Sequence, residues 1–300
     1  MIDIPDEFAR ETVLREGESG QAWLDVLPGL VDELLQRWSC TPDGPIMHGH
    51  VGIVVPVRHP DLPAAVVKVS FPHPGNVHEP DAFTVWNGRG AVQLYARDDD
   101  RFAMLLERSG HATLAEVTDF DQAVTALGEL SRRLSVDAPA GLPRISDMVT
   151  DWEHEIRTTA AELGHPLPRA VVDAALATLR ELGPDQPETL VHGDLSDSNV
   201  LTGGRERLMA IDPKGYVGDP AYDTATVIRS RRFAPLLFTP DPEANLLRGL
   251  DMYCDAADID RDRGRRWAQA RAVRSALWGR QHGDPDWIIQ ATDQLAGILT

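Results

Sequence analysis

Cysteine, lysine and long apolar runs are all scarce in this sequence of 300 residues. Cysteine occurs only as Cys40 and Cys254, too few for a disulfide framework or a structural zinc site. No apolar run approaches the ~18 residues of a membrane helix, and the first six residues lack the basic start of a signal peptide. We therefore expect a cytoplasmic globular protein with no membrane association.

Positive charge is also in short supply. Lys and Arg number 29 against 47 Asp and Glu, which gives a net charge of −18. The acidity is spread along the chain, since the net charge is −8 up to residue 110 and −10 beyond it. Such a surface repels phosphate backbones, so we expect no nucleic-acid partner. It favours a cationic small molecule as ligand, although in many acidic proteins the charge serves solubility alone.

The sequence pattern changes near residue 110 from mainly strand-like to mainly helical, which predicts two unlike lobes. The first forty residues are predicted helical, because apolar residues recur at three- and four-residue steps from Trp23 to Trp38. Strands are predicted over 51–57, 64–69, 91–96 and 102–106, with a short helix over 77–86. Ala- and Leu-rich periods predict helices over 113–135, 151–163, 168–182, 243–257 and 264–280. We therefore assign an amino-terminal lobe to 1–108 and a helical carboxyl-terminal lobe to 109–300.

A polar cluster at 192–199 carries the strongest chemical signal. Asp194 and Asn199 lie in it, flanked by apolar triplets, and Asp212 follows another apolar stretch 13 residues after Asn199. An Asp can accept the proton of a substrate hydroxyl, while an Asn and a second Asp can coordinate Mg²⁺ on nucleotide phosphates. The spacing matches the kinase sequence His-x-Asp-x-x-x-x-Asn followed by a metal-binding Asp. The alternative is a plain turn, because these side chains readily bond their own backbone.

Three stretches of the chain carry a family resemblance: His192-Gly193-Asp194 through Asn199, Ile211-Asp212-Pro213-Lys214-Gly215, and Gly218-Asp219-Pro220-Ala221-Tyr222-Asp223. They resemble the aminoglycoside phosphotransferases. The Asp-Pro-Lys-Gly form at 212–215 is typical of the subfamily of streptomycin 6-kinases and hydroxyurea phosphotransferases. Further similarity extends over most of the chain, from the helix at 23–38 to the segment 267–278.

The resemblance implies an α+β, bilobal, protein-kinase-like fold with a small antiparallel-sheet amino-terminal lobe and a larger helical carboxyl-terminal lobe. It implies ATP and Mg²⁺ as cofactors, Asp194 as catalytic base, and Asn199 and Asp212 as metal ligands. The implied reaction moves the γ-phosphoryl of ATP to a hydroxyl of a small molecule, an aminoglycoside such as streptomycin. The chain departs from the family at Ser196-Asp197-Ser198, where His-Pro-Gly or similar is more common, and this adds a carboxylate beside the acceptor site.

The amino-terminal lobe of such a kinase supplies a lysine for the α- and β-phosphates. Lys68 is the only lysine before Lys214 and lies in a β-branched run. Glu79, in the next predicted helix, is its natural partner. Gly49 and Gly52 let a backbone approach a phosphate, although they lack the Gly-x-Gly-x-x-Gly pattern and a plain turn is nearly as well supported.

Glu107 and Ser109 lie where the predicted lobes join. In kinase-like folds the backbone there reads the adenine edge, so both are assigned to cofactor binding. A simple linker is the alternative, and the two interpretations are compatible.

The acceptor pocket has the weakest signal in the sequence. Asp197 and Asp223 are its candidate residues, because each lies near the catalytic loops along the chain. Trp267 and Trp278 are interpreted as core or helix-packing residues, and Lys214 as either a phosphate contact or an ion-pair partner. Aminoglycosides, hydroxyurea and unrelated hydroxylated metabolites all remain possible acceptors, and the protein is expected to be a monomer or a homodimer.

A protein kinase and an inactive nucleotide-binding scaffold are competing interpretations. Gly193 stands where protein kinases have the arginine that pairs with a phosphorylated activation loop, and no Ala-Pro-Glu follows residue 212. A scaffold has no need of a catalytic base, so the presence of Asp194 together with Lys68, Asn199 and Asp212 argues against it.

Overall fold

The computed structural model describes residues 2–230 and 232–300, and the chain divides into two compact units. The first unit comprises the residues up to His111 together with Thr202–Asp212. The second comprises Ala112–Leu201 and Pro213–Thr300. The chain therefore crosses between the units three times, while the lobe boundary at 108/109 remains a prediction from the sequence.

Two helices open the first unit, where the sequence suggested continuous helix. They are α1 (Asp6–Glu16) and α2 (Glu18–Arg37), and Gly17 separates them with a φ of 61° that favours glycine. On α2 the buried residues fall at three- and four-residue steps, as predicted, and pack against the sheet; they are Leu24, Leu27, Val31, Leu34 and Leu35.

An antiparallel sheet forms the rest of the first unit's core. Its strands are β1 (Thr41–Pro42), β2 (Met47–His48), β3 (Gly52–Arg58), β4 (Ala65–Ser70), β5 (Leu94–Asp98) and β6 (Ala103–Glu107). The order is β1-β3-β4-β6-β5, with β2 also paired to β3. All six residues of β4 are buried, so the β-branched run at 65–70 is a central strand. The helix α3 (Glu79–Trp86) follows β4 along the chain.

The predicted strands of this sheet are confirmed, with one shifted. The strand predicted over 91–96 begins only at Leu94 and continues to Asp98. The reason is that Ala91 forms a bridge to Ala210 instead, and the amide of Val92 donates to the Ala210 carbonyl. Phe102 has a left-handed φ of 50°, so β6 begins after it at Ala103.

The second unit is mainly helical. Its helices are α4 (Phe120–Leu134), α5 (Ile145–Glu162), α6 (Arg169–Leu182), α7 (Thr224–Val227), α8 (Pro242–Ala257), α9 (Arg261–His282) and α10 (Asp286–Ile298). The remaining strands of the chain are β7 (Val136–Asp137), β8 (Thr189–Val191), β9 (Val200–Thr202), β10 (Leu208–Ala210) and β11 (Tyr216–Val217). Of these, β10 belongs to the first unit, and β11, β8 and β7 form an antiparallel sheet in that order.

Helix α9 is central to the second unit, because α5, α6, α8 and α10 all pack against it. The helix predicted over 113–135 is wrong at its start. Thr113 and Glu116 form a capping box on a short 3₁₀ turn, and the Asp119 side chain then caps α4 by accepting from the Gln122 amide. Helix α10 was not predicted. No helix among residues 2–230 and 232–300 is long and apolar enough to cross a membrane.

Candidate active site

Lys68 lies at the centre of a buried charge cluster in the first unit. It sits on β4 with its Nζ 2.5 Å from Oε1 of Glu79 on α3, which confirms the predicted pair. The same Nζ donates a second bond to Oδ1 of Asp212, which follows β10. Burial acts to lower the pKa of Lys68, but the two carboxylates outweigh it and hold the pKa above its usual value. The ammonium group is therefore fully charged and fixed in position.

Asp212 occupies an unusual backbone conformation. Its φ of 58° lies in the left-handed region, which costs energy for any residue other than glycine and is least costly for Asn and Asp. Such conformations cluster at functional sites, where the surrounding structure holds them. Here the hydrogen bond from Lys68 Nζ holds the side-chain carboxylate of Asp212 in place.

The two predicted loop glycines differ in their surroundings. Gly52 begins β3, and a Cβ there would lie 2.7 Å from the carbonyl oxygen of Val69, so close packing against β4 already requires glycine. Gly49 has open space around it, and its amide donates to the Gly52 carbonyl at 2.9 Å. Packing therefore explains the glycine at position 52 but not the glycine at position 49. The open space around Gly49 is compatible with a ligand approaching its backbone.

The segment 107–110 follows β6 and is held on both sides. The Glu107 carboxylate is buried and pairs with Arg205 at 3.2 Å. Ser109 Oγ donates to the Gly203 carbonyl at 2.9 Å. The amides of Glu107, Arg108 and Gly110 all donate to backbone carbonyls of this unit. The Ser109 amide makes no such bond among the described residues, so it is the donor of this segment that a ligand can use.

In the second unit, one buried carboxylate anchors the loop after β8. Asp223 Oδ1 accepts from the Gly193 amide at 2.8 Å, and its Oδ2 accepts from the His192 amide at 3.2 Å. Burial raises the pKa of Asp223 to about 7; the two amides oppose this shift and the charge of Asp194 adds to it. Gly193 has a φ of 81°, and a Cβ there would lie 2.8 Å from the Tyr216 ring, so the loop requires glycine.

These contacts correct the interpretation of Asp223 as an acceptor contact. The side chain is buried beneath the loop with 3 % exposure, lines neither of the two large cavities of this unit, and has backbone amides as its partners. Asp223 positions Asp194 through the loop. Its role was missed because the contact joins segments about thirty residues apart.

Asp194 and Asn199 are brought together by the same loop. The Asp194 amide donates to Nδ1 of His192 at 3.2 Å, and Asn199 Nδ2 donates to the Asp194 carbonyl at 2.9 Å. The Asp194 carboxylate is partly exposed and lies 3.6 Å from Nζ of Lys214, whose own amide is bonded to the His192 carbonyl. Lys214 is thus an ion-pair partner of Asp194, one of the two roles left open by the sequence.

The added carboxylate at Asp197 is already paired. Arg232 Nε lies 3.2 Å from Asp197 Oδ2, and the same guanidinium donates to the Leu114 carbonyl at 2.8 Å. Both side chains are at least nine-tenths buried. Asp197 lines the cavity around Asp194, but its negative charge is largely offset by Arg232.

Two cavities open in the second unit, and they share Arg229. The first, of about 820 Å³, is lined by Asp194, Asp197, the two serines of the loop, Thr113 and residues 115–118. The second, of about 660 Å³, is lined by aromatic residues, among them tryptophans of α5, α9 and α10, and by three arginines, two of them on α9. Trp267 is buried, as predicted, whereas the interpretation of Trp278 as a packing residue is wrong, since it is half exposed at the second cavity. A single sequence does not distinguish these two tryptophans, because both lie on α9.

The predicted metal ligands have suitable chemistry for Mg²⁺. Asn199 uses its amide nitrogen on the Asp194 carbonyl, which leaves Oδ1 as an acceptor facing elsewhere. Asp212 presents a carboxylate beside an ammonium group. Carboxylate and amide oxygens are the ligands that Mg²⁺ takes in nucleotide sites, so the donor set fits the group.

Solved structures of kinases share this fold. A choline kinase from Streptococcus pneumoniae matches with a TM-score of 0.54 at 16 % identity, covering 91 % of this chain and 98 % of that chain. A spectinomycin phosphotransferase in complex with ADP and spectinomycin matches with a TM-score of 0.54 at 12 % identity, covering 90 % and 97 %. The predicted α+β protein-kinase-like fold is confirmed.

The sequence comparisons identify the family. Streptomycin 6-kinase of Streptomyces glaucescens is 34 % identical over 94 % of this chain and 92 % of its own length. Hydroxyurea phosphotransferase of Kitasatospora aureofaciens is 31 % identical over 95 % and 82 %. A family model described as aminoglycoside/hydroxyurea antibiotic resistance kinase matches residues 37–283. The predicted resemblance is confirmed, and the chain belongs to this family of phosphotransferases, the aminoglycoside/hydroxyurea antibiotic resistance kinases.

Proposed function

We propose that the protein transfers the γ-phosphoryl group of ATP, with Mg²⁺, to a hydroxyl of an aminoglycoside such as streptomycin. The observation that carries this proposal is Asp194 itself. Its carboxylate faces a cavity of about 820 Å³, while its loop is fixed from below by two amide bonds to Asp223. A rigidly held carboxylate that faces a space large enough for a small molecule is suited to general-base catalysis.

The reaction assigns a role to each predicted residue. The acceptor hydroxyl gives its proton to Asp194, its oxygen forms the new bond to the γ-phosphorus, and the bond from that phosphorus to ADP breaks. Lys68, held by Glu79, binds the α- and β-phosphates, and Lys214 forms an ion pair with the Asp194 carboxylate. Asn199 and Asp212 would hold Mg²⁺, which would supply positive charge to neutralise the phosphates.

The adenine end of the nucleotide is assigned to the first unit. Ser109 offers the backbone amide that makes no other bond in its segment, and Glu107 shapes the segment through Arg205. Gly49 lets the loop before β3 approach the phosphates, and Gly52 keeps that loop close to β4. Most of the rate enhancement then comes from positioning and electrostatics.

The acceptor is assigned from the relatives. Two streptomycin 6-kinases, from Streptomyces glaucescens and Streptomyces griseus, and a hydroxyurea phosphotransferase are similar to this chain over most of its length. Streptomycin carries guanidinium groups, and a protein of net charge −18 attracts cations. Proteins that share a fold share a reaction class more often than they share a substrate. The acceptor is therefore tested directly.

The test measures ADP release with streptomycin, hydroxyurea and spectinomycin as acceptors in the presence of Mg-ATP. For Asp194→Asn we expect unchanged nucleotide affinity and a turnover lowered by roughly 10²–10⁴. Asp185→Asn, an exposed change of the same chemistry in the same unit, is the matched control and should keep full activity. Near-wild-type turnover of Asp194→Asn with the preferred acceptor would show that Asp194 is not the base.

A further inference from the structure

The catalytic loop, residues 192–199, is held to the rest of its unit at its start by Asp223, which accepts from two of its amides. Further along, two bonds lie within the loop itself. The side chain of Asn199 donates to the Asp194 carbonyl at 2.9 Å, and the Asn199 amide donates to the Ser196 carbonyl at 3.0 Å. Such internal bonds fix the shape of the loop but not its position in the unit.

A second buried contact from outside reaches the loop at Asp197. Nε of Arg232 lies 3.2 Å from Oδ2 of Asp197, and both side chains are at least nine-tenths buried. Asp197 follows Asp194 by three residues and precedes Asn199 by two, so it lies between the proposed base and the proposed metal ligand. Arg232 follows Asp223 by nine residues. The two outside contacts therefore come from the same part of the chain, around α7.

The same guanidinium also holds a second wall of the catalytic cavity. Its Nη2 donates to the Leu114 carbonyl at 2.8 Å, and Leu114 begins the short 3₁₀ turn that precedes α4. The neighbours of Leu114 line the catalytic cavity together with the loop and Arg232. Thr113 forms a bridge to Leu201, two residues beyond the loop. Arg232 thus joins the catalytic loop to the segment 113–118.

Stability alone does not account for a buried pair of this kind. The loss of hydration of two buried charges offsets much of their attraction, so apolar residues of similar volume are often as stable. What the pair provides is geometry, because the guanidinium is planar and its N–H groups point in fixed directions. One guanidinium that donates to Asp197 and to the Leu114 carbonyl therefore fixes both partners relative to each other. Catalysis depends on such placement, since a displacement of about 1 Å can cost 10²-fold in rate.

We propose that Arg232 is a positioning residue for phosphoryl transfer. Through Asp197 it holds the far half of the catalytic loop, and with it Asp194 and Asn199, in place against the segment 113–118. Asp223 fixes the start of the loop and Arg232 fixes the remainder. Arg232 acts on Asp197 and on the Leu114 carbonyl rather than on the reacting atoms. This inference rests on the proposed function.

Steady-state kinetics would compare wild type with Arg232→Gln, Asp197→Asn and the double variant, using the best acceptor among streptomycin, hydroxyurea and spectinomycin. We expect Arg232→Gln to lower kcat by roughly 10–100-fold and to leave KM for ATP within about two-fold. The double variant should be no slower than Arg232→Gln, because Arg232 acts through Asp197. Arg232→Lys keeps the charge without the planar geometry and should recover only part of the rate. Arg169→Gln, which breaks an exposed ion pair with Asp173 in the same unit, is the matched control.

Two measurements without turnover separate positioning from a general loss of structure. Hydrogen exchange should accelerate at the Asn199 amide in Arg232→Gln, while the amides of His192 and Gly193, which Asp223 holds, keep their wild-type rates. Electron paramagnetic resonance should show Mn²⁺ binding to the ADP complex weakened about 10-fold, since Asn199 loses its support. Arg169→Gln should match wild type in both measurements. If Arg232→Gln does not fold, Arg232→Lys and Asp197→Asn replace it, with smaller changes in the same direction.

Three results would overturn the role of Arg232. One is wild-type exchange at Asn199 in Arg232→Gln, and another is an acceleration spread evenly over the whole unit, which would be a structural effect. The third is a change confined to KM for the acceptor, with additive losses in the double variant, which would make Arg232 a direct acceptor contact. Failure of the proposed phosphotransfer appears differently, as no acceptor-dependent ADP release by wild type, and the exchange measurement then still decides whether Arg232 holds the loop.

Discussion

At the scale of single residues, Lys68 differs from the surface ion pairs of the first unit because its charge is buried. It is buried on a central strand and compensated by Glu79 and Asp212, while ion pairs such as Arg101 with Glu33 are exposed. Exposed pairs contribute little because water and salt screen them, whereas removal of one partner from a buried pair leaves an uncompensated charge. The same ammonium group is therefore structural before any nucleotide binds.

Replacing Lys68 with methionine keeps the apolar stem and removes the charge. We expect Lys68→Met to lower the free energy of unfolding by about 3 kcal/mol, because two carboxylates lose their counter-charge, and to weaken ATP binding strongly. Glu79→Gln should weaken ATP binding less, since Asp212 still holds Lys68. Urea unfolding and nucleotide titration would measure both effects.

Lys214→Met is the matched control for stability. Its ion pair with Asp194 is 3.6 Å long and partly exposed, so the expected cost is under about 1 kcal/mol. Equal losses of stability in Lys68→Met and Lys214→Met would contradict the importance assigned to the buried cluster.

At the scale of elements, the loop after β8 is a rigid unit tied to the turn that contains Asp223. For this loop, the sequence predicts only the residues with chemical roles. The structure adds the groups that hold it: two amides on Asp223, and Gly193 with a left-handed φ against Tyr216. Catalytic geometry is thus set by backbone contacts that leave no motif of their own.

Comparing Gly193→Ala with Gly141→Ala separates the contact between residue 193 and the Tyr216 ring from the backbone strain that both variants share. A left-handed conformation costs a non-glycine residue about 1–2 kcal/mol, and the Cβ would also overlap the Tyr216 ring. Gly141→Ala is the control, because Gly141 has a φ of 95° and open space around it. We expect Gly193→Ala to lose more stability than Gly141→Ala and most of the activity, as measured by thermal unfolding and turnover. Full activity of Gly193→Ala would show that the loop tolerates displacement.

The buried carboxylate of Asp223 gives the fold a characteristic pH dependence. Its pKa is about 7 in the folded protein against an ordinary value of 3.8, so the folded state binds an extra proton between these values. The stability from this group is present below about pH 4 and declines as pH rises to about 7, by up to roughly 4 kcal/mol.

Urea unfolding from pH 4 to 8 would compare wild type with Asp223→Asn. We expect the wild type's stability relative to Asp223→Asn to decrease across this interval and to level off above pH 7. Asp185→Asn should retain the wild-type slope. Parallel curves for wild type and Asp223→Asn would mean that Asp223 stays ionised in the folded protein across the whole interval.

At the scale of the whole molecule, local patterns were predictable and distant contacts were not. The strands β3 and β4, the helix α2 and the pair of Lys68 with Glu79 follow from periodicity and from spacings of about ten residues. The partner of Asp197 is Arg232, 35 residues later. Exposure of Trp278 depends on how α10 packs against α9. Such contacts depend on the complete fold, because hydrophobic pattern alone does not specify which distant segments meet.

The net charge of −18 is a property of the whole chain and leads to a prediction about salt. Long-range attraction of a cationic acceptor requires unscreened charge, and the Debye length falls from about 30 Å at 0.01 M salt to about 8 Å at 0.15 M. We therefore expect kcat/KM for streptomycin to fall about 10-fold over this range, since steering acts on the encounter rate. The value for hydroxyurea, which is neutral, should stay nearly constant and serves as the control. Two results would contradict this prediction: a salt-independent kcat/KM for streptomycin, or a neutral or anionic acceptor that outperforms every cation tested. In either case the acidic residues would serve solubility alone, and the protein would phosphorylate a different acceptor.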